Sequence, residues 1–277
     1  MKHLISKTLI IFSFFLLFSI PILAKTPVFP IEFVVVIPSY NNEKWCLQNL
    51  ESVVTQAYPN FTIYYINDCS TDRTGQLVTE FVRSRKLESK CTVVHNNARK
   101  GALNNLYEAI SKVAPHKIIV TVDGDDTLAH QYVLHTVANE YAKNDAWLTY
   151  GNWRSDPLGY KSPCEAIPSH IAKNNSFRSY KWVSSQLRTF YAKLFHLIKK
   201  EDLLYEGSFF PVTWDLAMMF PMLEMASKKH VRFIPQILYT YNIRNPLNDF
   251  KTNHELQVKL ENHVRSRPAY APLQRLF

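Results

Sequence analysis

The feature of this sequence that most constrains its fold is a buried apolar strand followed by an amphipathic helix, repeated several times. Phe33–Ile37 is a continuous run of apolar, mostly β-branched side chains, and apolar positions at helical spacing follow over Asn42–Ala57. Further strands are predicted at 61–66, 91–95, 117–122 and 147–150, and further helices at 75–85, 102–113 and 130–141. Strands that are apolar on both faces are typical of a parallel sheet covered by helices. We therefore predict an α/β fold with a Rossmann-like, mostly parallel sheet.

The regular alternation stops near residue 150. Residues 152–180 are polar, contain three prolines and are predicted to form a loop. Beyond this loop we predict helices at Ser184–Ile198, Asp215–Ser227 and Asn253–Val264, and a strand at Arg232–Tyr241. Since this part does not repeat the strand–helix unit, we expect a single domain in which residues 151–277 are built onto the half formed by residues 31–150.

Residues 1–24 are predicted to be a targeting segment. Lys2 and Lys7 precede about 15 apolar residues, and the small residue Ala24 follows them. This order is typical of a signal peptide, and the apolar run is shorter than the roughly 20 residues that span a bilayer. We expect a cleaved signal peptide or, alternatively, a signal anchor that associates the chain with a membrane. Either one predicts an exported or membrane-anchored protein.

The charge and the cysteines limit the classes of partner. The net charge is +9, but the Lys and Arg residues are scattered and form no long basic run. We therefore predict a solvated basic surface and no nucleic-acid partner. The four cysteines do not have the spacing of a zinc site.

Three polar clusters follow three of the predicted strands. They are Pro38–Asn41, Asp68–Asp72 and Asp123–Asp126. Because the carboxyl ends of parallel strands lie at one edge of a sheet, where ligands bind in such folds, we expect these clusters to form one site.

The last cluster contains three carboxylates within four positions, Asp123, Asp125 and Asp126. Such crowding disfavours ionisation unless a cation is present. Mg²⁺ and Mn²⁺ prefer oxygen ligands and commonly share them with substrate phosphates. The sequence therefore indicates a divalent-metal site, and the alternative is a solvated acidic turn in which Asp126 caps the following helix. For Asp68 and Asp72 the alternative is likewise a role at the start of a helix.

The three clusters resemble the signature segments of family 2 glycosyltransferases. The matching residues are Ile37-Pro38-Ser39-Tyr40-Asn41, Asn67-Asp68-Cys69-Ser70-Thr71-Asp72 and Val122-Asp123-Gly124-Asp125-Asp126. The resemblance implies a GT-A fold and the binding of a nucleotide sugar, for which we favour a UDP-sugar. It also implies that residues 31–150 form the nucleotide-sugar half and residues 151–277 the acceptor half.

The resemblance further implies roles for individual residues. Pro38 and Tyr40 would line the base pocket, and Asp68 would bind the base. Asp123 would contact the ribose side of the donor, and Asp125 would bind Mn²⁺ or Mg²⁺. Lys100 and Asn105 lie in the segment that flanks the nucleotide in this family, although the family more often has Ala-Arg-Asn there.

Inverting members of the family use a carboxylate to deprotonate the acceptor hydroxyl. Asp215, at the start of a predicted helix, is our candidate for this base, and the alternative is an acid placed there by the helix dipole. Glu224 on the same helix is the reserve candidate. We further expect Trp214 to stack on a sugar ring, and we expect Arg188 and the segment 239–245 to close over the diphosphate or acceptor.

We therefore predict a metal-dependent inverting glycosyltransferase that acts on a hydroxyl of a glycan, lipid or protein acceptor. A nucleotidyltransferase is one alternative, but such enzymes normally carry a Gly-rich loop after the first strand, and residues 38–43 contain no glycine. A non-catalytic nucleotide-sugar-binding protein is the other alternative.

Overall fold

The computed structural model describes residues 31–248 and 253–277. The predicted signal peptide or anchor at 1–24 lies outside these residues and stays a prediction. Within the described ranges, no helix combines the length and apolar character that crossing a membrane requires.

The described residues form ten strands, eight α-helices and two short 3₁₀ helices at Phe177–Ser179 and Lys200–Leu203. The strands are β1 Phe33–Ser39, β2 Phe61–Asn67, β3 Cys91–His95, β4 Ile118–Thr121, β5 Thr127–Leu128, β6 Leu148–Asp156, β7 Arg188–Tyr191, β8 Leu204–Tyr205, β9 Ser208–Phe209 and β10 Val231–Asn242. The helices are α1 Cys46–Val54, α2 Thr74–Ser84, α3 Ala102–Ile110, α4 Val133–Asn144, α5 Ser169–Lys173, α6 Ala192–His196, α7 Trp214–His230, which is interrupted at Ser227, and α8 His254–Ser266.

Eight of the strands form one sheet in the order β3-β2-β1-β4-β7-β6-β10-β5. The first four strands of this order are parallel, as are β6 and β10, whereas β7 and β5 are antiparallel to their neighbours. The prediction of a mostly parallel α/β sheet is confirmed. Since β4 pairs with β7, strands from both halves of the chain belong to the same sheet.

Both faces of the sheet are covered, and β1 shows why the sequence requires it. All seven residues of β1 are buried. Val34 and Val36 pack into the core that contains α3 and α7, while Val35 and Ile37 pack into the core that contains α1, α2 and α4. A strand with two apolar faces is stable only when helices remove both faces from water.

The prediction of a helix at Ser184–Ile198 is wrong. Residues Arg188–Tyr191 form strand β7, which pairs with β4 on one side and β6 on the other, and only Ala192–His196 is helical. Burial of Thr189 between β4 and β6 favours the strand, because its hydroxyl bonds to those of Thr149 and Tyr141. Long-range pairing thus overrides the local apolar spacing, which does not distinguish a short buried strand from a helix.

Residues 152–180 also contain more regular structure than predicted. Strand β6 continues to Asp156, because residues 152–156 pair with β10. A short helix follows at Ser169–Lys173.

A buried ion pair joins Glu224 of α7 to Arg178. Glu224 is fully buried, and its carboxylate accepts hydrogen bonds from Arg178 Nε at 2.6 Å and Nη2 at 3.0 Å. Arg178 Nη1 also donates to the carbonyl of Val264 in α8, which connects α7 to the C-terminal helix. Burial raises the pKa of Glu224, and the adjacent guanidinium opposes that rise. The pair therefore depends on both partners remaining in place.

We predict that Glu224→Ala lowers the free energy of unfolding by about 3–5 kcal/mol, because it leaves the Arg178 charge buried without its counterion. Denaturant unfolding measures this loss. Glu51→Ala is the matched control, since the Glu51–Arg85 pair is about half exposed and should contribute about 0–1 kcal/mol. Equal losses in the two variants would contradict a structural role for the buried pair.

Candidate active site

The three polar clusters meet at one edge of the sheet, as predicted. The N–H of Asp68 donates to the carbonyl of Ser39 at 2.8 Å, and the N–H of Gly124 donates to the carbonyl of Pro38 at 3.2 Å. The end of β1 therefore lies between the other two clusters and contacts both.

Gly124 is required by this close approach. A Cβ at position 124 would lie 2.5 Å from Ser39 Oγ and 2.8 Å from Asn42 Nδ2. Ser39 Oγ is itself fixed, because it accepts hydrogen bonds from the hydroxyl of Tyr65 and from Asn42 Nδ2. The acidic segment is thus held directly against the first strand.

Asp68 organises the loop that precedes α3. The residue is 3% exposed, and its carboxylate accepts hydrogen bonds from Asn96 Nδ2 and from the N–H groups of Lys100 and Gly101, at 2.7–2.9 Å. Burial alone would raise the pKa of Asp68, but these hydrogen bonds favour the ionised form, so the net effect is a lowered pKa. Its predicted contact with a nucleobase stays a prediction.

Lys100 and Asn105 lie next to Asp68, and their predicted place beside a bound nucleotide stays a prediction. Asn96 Nδ2 joins them by donating to Asn105 Oδ1 as well as to Asp68. Asn105 is buried, and its Nδ2 has no hydrogen-bond partner in the described residues. The ammonium group of Lys100 forms an ion pair with Glu108 of α3.

Tyr40 is stacked against a residue that the sequence analysis did not select. The guanidinium of Arg99 lies 3.9 Å from the centre of the Tyr40 ring. Asp72 has the helix-start role given as its alternative, because its carboxylate accepts hydrogen bonds from the N–H of Thr74 at the start of α2 and from the N–H of Glu43. Asp72 therefore ties the loop that follows β1 to the start of α2.

Asp126 does not cap the following helix, contrary to one expectation above. It is 1% exposed, its Oδ1 accepts a hydrogen bond from the N–H of Asn242 in β10, and α4 begins only at Val133. Burial, together with the charges of Asp125 and Asp123, raises the pKa of Asp126 well above its ordinary value. The carboxylates of this segment are therefore crowded, as the sequence indicates.

Asp125 is suited to hold a cation together with other oxygen ligands. Its Oδ2 accepts a hydrogen bond from Asn245 Nδ2 at 2.7 Å. No group of three or more His, Cys, Asp or Glu side chains within 31–248 and 253–277 is arranged to bind a metal ion. A cation here would need further ligands from water or a bound phosphate, which is how Mg²⁺ is commonly bound. The crowding that raises the pKa of Asp126 fits such a cation, which would offset the repulsion.

A cavity of about 440 Å³ lies beside Asp125, between α1 and the ends of β6 and β10. Its lining is mainly polar and includes one indole, with Trp45, Gln48, Thr127, Asp156 and Asn242 among its residues. The carboxylate of Asp125 is therefore accessible from this side.

Arg188 joins the acidic segment to the candidate base. The Arg188 side chain is 3% exposed, and its Nη1 donates to Asp215 Oδ2 at 2.9 Å. Its Nη2 lies 3.9 Å from Asp123 Oδ2. Arg188 was expected to close over a ligand, but it lies buried beside two carboxylates. The sequence assigned one of them, Asp123, to the donor and the other, Asp215, to the acceptor.

Trp214 and Gln186 complete the surroundings of the Arg188 guanidinium and the Asp123 carboxylate. The guanidinium carbon of Arg188 lies 4.9 Å from the centre of the Trp214 ring, whose predicted stacking on a sugar stays a prediction. Gln186 Nε2 donates to Asp123 Oδ2 at 3.0 Å and so fixes the other carboxylate. Burial raises the pKa of Asp123, an effect that Arg188 and Gln186 oppose. Glu224 is not a reserve base, because its carboxylate is buried against Arg178.

The sequence did not single out Arg99 or Gln186, whereas Tyr239 and Asn245 lie in the segment 239–245 that was expected to close over the diphosphate or acceptor. The N–H of Asp123 donates to the hydroxyl of Tyr239, and Asn245 contacts Asp125. Arg99 lies within a segment that the resemblance covers and could have been found there. Gln186 lies in the second half of the chain, where no motif marks it.

The sequence around this site matches a known protein family. A family model described as "Glycosyl transferase family 2" matches residues 34–209, which is more than half of the chain. The chain belongs to glycosyl transferase family 2. The match includes all three signature segments and Arg188, whereas Asp215 lies just beyond it.

Two similar proteins come from Streptococcus pneumoniae and Staphylococcus aureus. The chain is 29% identical over 177 residues to glycosyltransferase GlyG of Streptococcus pneumoniae serotype 4, which covers 60% of this chain and 56% of GlyG. It is 32% identical over 97 residues to the poly(ribitol-phosphate) beta-N-acetylglucosaminyltransferase TarS of Staphylococcus aureus, which covers 34% of this chain and 16% of TarS. The chain thus spans only part of these relatives.

Solved structures of two sugar transferases have a similar fold. S. aureus TarS 1–349 in complex with UDP-GlcNAc gives a TM-score of 0.63 at 16% identity and covers 84% of this chain and 65% of that one. The mannosyltransferase PcManGT of Pyrobaculum calidifontis, in complex with GDP-Man and Mn²⁺, gives 0.59 at 15% identity and covers 88% and 68%. The predicted GT-A fold is confirmed.

We predict that Asp68→Asn lowers the free energy of unfolding at pH 7 by about 1.5–3 kcal/mol, because the ionised carboxylate accepts hydrogen bonds that an amide replaces poorly. Since the pKa of Asp68 is lowered by folding, its contribution exists above the unfolded-state pKa of about 3.9 and disappears as the pH falls through the folded-state value. The difference between variant and wild type should therefore shrink as the pH is lowered.

Denaturant unfolding between pH 7 and pH 3 measures this difference. Glu108→Gln is the control, since it removes the exposed partner of Lys100 beside the same loop and should cost less than about 1 kcal/mol. A loss in Asp68→Asn that stays constant with pH would contradict the role assigned to the carboxylate charge.

Proposed function

We propose that this chain is a metal-dependent inverting glycosyltransferase that moves a sugar from a nucleotide-sugar donor to an acceptor hydroxyl. The observation that carries the proposal is the arrangement of Asp123 and Asp215, a donor-side and an acceptor-side carboxylate, around one buried guanidinium. Asp125, the candidate metal ligand, lies beside Asp123 on the same strand end. Family membership supports glycosyl transfer over nucleotidyl transfer.

The donor would bind at the edge where the three polar clusters meet. Tyr40 offers an aromatic face for a base, and Asn105 offers a buried Nδ2 donor without a partner in the described residues. We propose a UDP-sugar because TarS, a structural relative, is described in complex with UDP-GlcNAc. PcManGT is described with GDP-Man, so a GDP-sugar is the alternative that a donor screen must include.

Mn²⁺ or Mg²⁺ would be held by Asp125 and would offset the negative charge of the leaving diphosphate. Asn245 orients the Asp125 carboxylate by donating to its Oδ2. Asp126 holds the same segment against β10, because its carboxylate accepts a hydrogen bond from the N–H of Asn242.

Asp215 would take the proton from the acceptor hydroxyl. Its Oδ2 is occupied by Arg188, whereas Oδ1 accepts no hydrogen bond from the described residues and can face an acceptor. About a quarter of the side chain is exposed, so a substrate can reach it. A base held on the side of the sugar opposite the leaving diphosphate gives inversion at the anomeric carbon. The acceptor would be a glycan, lipid or protein hydroxyl.

We predict that removing divalent cations with a chelator lowers sugar transfer at least about 10²-fold, and that Mn²⁺ or Mg²⁺ restores it. Asp125→Asn should require a higher cation concentration for half-maximal activity, because the amide is a weaker ligand. Asp156→Asn is the control, since Asp156 lines the same cavity but lies outside the acidic segment. Undiminished transfer after complete chelation would contradict the role of the metal.

We predict that Asp215→Asn lowers the turnover of sugar transfer by about 10²- to 10⁴-fold, because the amide cannot accept the proton. Donor affinity, measured by titration calorimetry with UDP-sugars, should change little. Glu255→Gln is the control, because Glu255 is also an acid in the first turn of a helix. If Asp215→Asn behaves like that control, Asp215 only interacts with the helix dipole and the proposed base is wrong.

A further inference from the structure

We propose that Arg188 is a positioning residue that holds the base Asp215 in place and ties it to the donor-side carboxylate Asp123. This inference rests on the proposed function, because it assigns a role in the transfer reaction. It changes the expectation from sequence, in which Arg188 closes over a substrate.

The backbone of Arg188 is fixed by the middle of the sheet. Arg188 pairs with Thr121 of β4, two residues before Asp123, and β7 is flanked by β4 and β6. Its position relative to the acidic segment is therefore set by strand pairing and not by a flexible loop. A group on a rigid strand can hold another side chain within the narrow geometry that catalysis needs.

The side chain of Arg188 faces two carboxylates from different parts of the chain. Nη1 is hydrogen-bonded to Asp215 at 2.9 Å, and Nη2 lies 3.9 Å from Asp123. Trp214 lies against the guanidinium and limits its movement. One cation thus interacts with both carboxylates. A movement of Asp123 when a donor binds would therefore change the electrostatic potential at Asp215.

This geometry suits arginine and not lysine. The guanidinium is a planar fork whose two terminal nitrogens point at different acceptors, whereas an ammonium group is a single point charge. A lysine at position 188 could therefore compensate the local charge without holding both carboxylates. The Lys variant separates positioning from simple charge balance.

Arg188 could instead be only a structural cation. In that case its removal lowers stability, but the protein that remains folded has normal activity. The Arg178–Glu224 pair is the internal comparison, because it is also buried and lies in the α7 core, away from the carboxylates of the site.

The test is a double-mutant cycle with Arg188→Met, Asp215→Asn and the combined variant, together with Arg188→Lys and the control Arg178→Lys. Transfer turnover is measured per folded protein, donor affinity by calorimetry with UDP-sugars, and folding by thermal melting. We expect Arg188→Met to lower turnover by about 10²-fold and Arg188→Lys by about tenfold, with donor affinity within about threefold of wild type. Arg178→Lys should lower only the melting temperature.

If Arg188 acts through Asp215, the combined variant is no slower than Asp215→Asn alone. The proposal would be overturned if the turnover losses of Arg188→Met and Asp215→Asn multiplied in the combined variant. A turnover loss matched by an equal loss of donor affinity would also overturn it, as would normal turnover in Arg188→Lys. Should Arg188→Met fail to fold, Arg188→Lys and its cycle with Asp215→Asn decide the question. Full activity of Asp215→Asn would refute the proposed base itself, a result distinct from any outcome for Arg188.

Discussion

The guanidinium of Arg188 lies between Asp123, which follows β4, and Asp215, which begins α7. Two carboxylates this close would repel each other without a cation, and burial would strengthen that repulsion. The ion pair therefore determines where the acidic segment and the start of α7 can lie relative to each other. The pairing of β7 with β4 keeps this cation in place, so the second half of the chain completes a site that the first half begins.

A second constraint acts on the donor side, where the side chains of Ser39 and Asn42 lie too close to position 124 to leave room for a Cβ atom. The end of β1 connects the three clusters, because the carbonyl of Ser39 accepts a hydrogen bond from Asp68 and the carbonyl of Pro38 accepts one from Gly124. Asp68 and Asp126 then use their carboxylates to hold neighbouring loops and strands, which leaves Asp123, Asp125 and Asp215 partly exposed to substrates. Acidic residues that look alike in the sequence thus divide between holding the backbone and facing the ligand.

The sequence predicts the first half of the fold well, because β1 and β4 are buried on both faces and carry a strong local signal. It also predicts that the three clusters meet, since parallel strands end at one edge. It does not predict β7, whose conformation depends on pairing with strands distant in sequence. For the same reason the roles of Arg188 and Gln186 appear only in the structure, and Asp126 looks like a helix cap until β10 is placed over it.

The central claim is that Asp215 lies on the side of the bound sugar opposite the leaving diphosphate, which is held at Asp125. A crystal structure of the protein with a UDP-sugar and Mn²⁺ tests it most directly. The account predicts the diphosphate and the cation at Asp125, the base beside Tyr40, and Asp215 on the side of the sugar opposite the diphosphate. A nucleotide bound in the cavity beside Trp45, or Asp215 on the same side as the diphosphate, would contradict it.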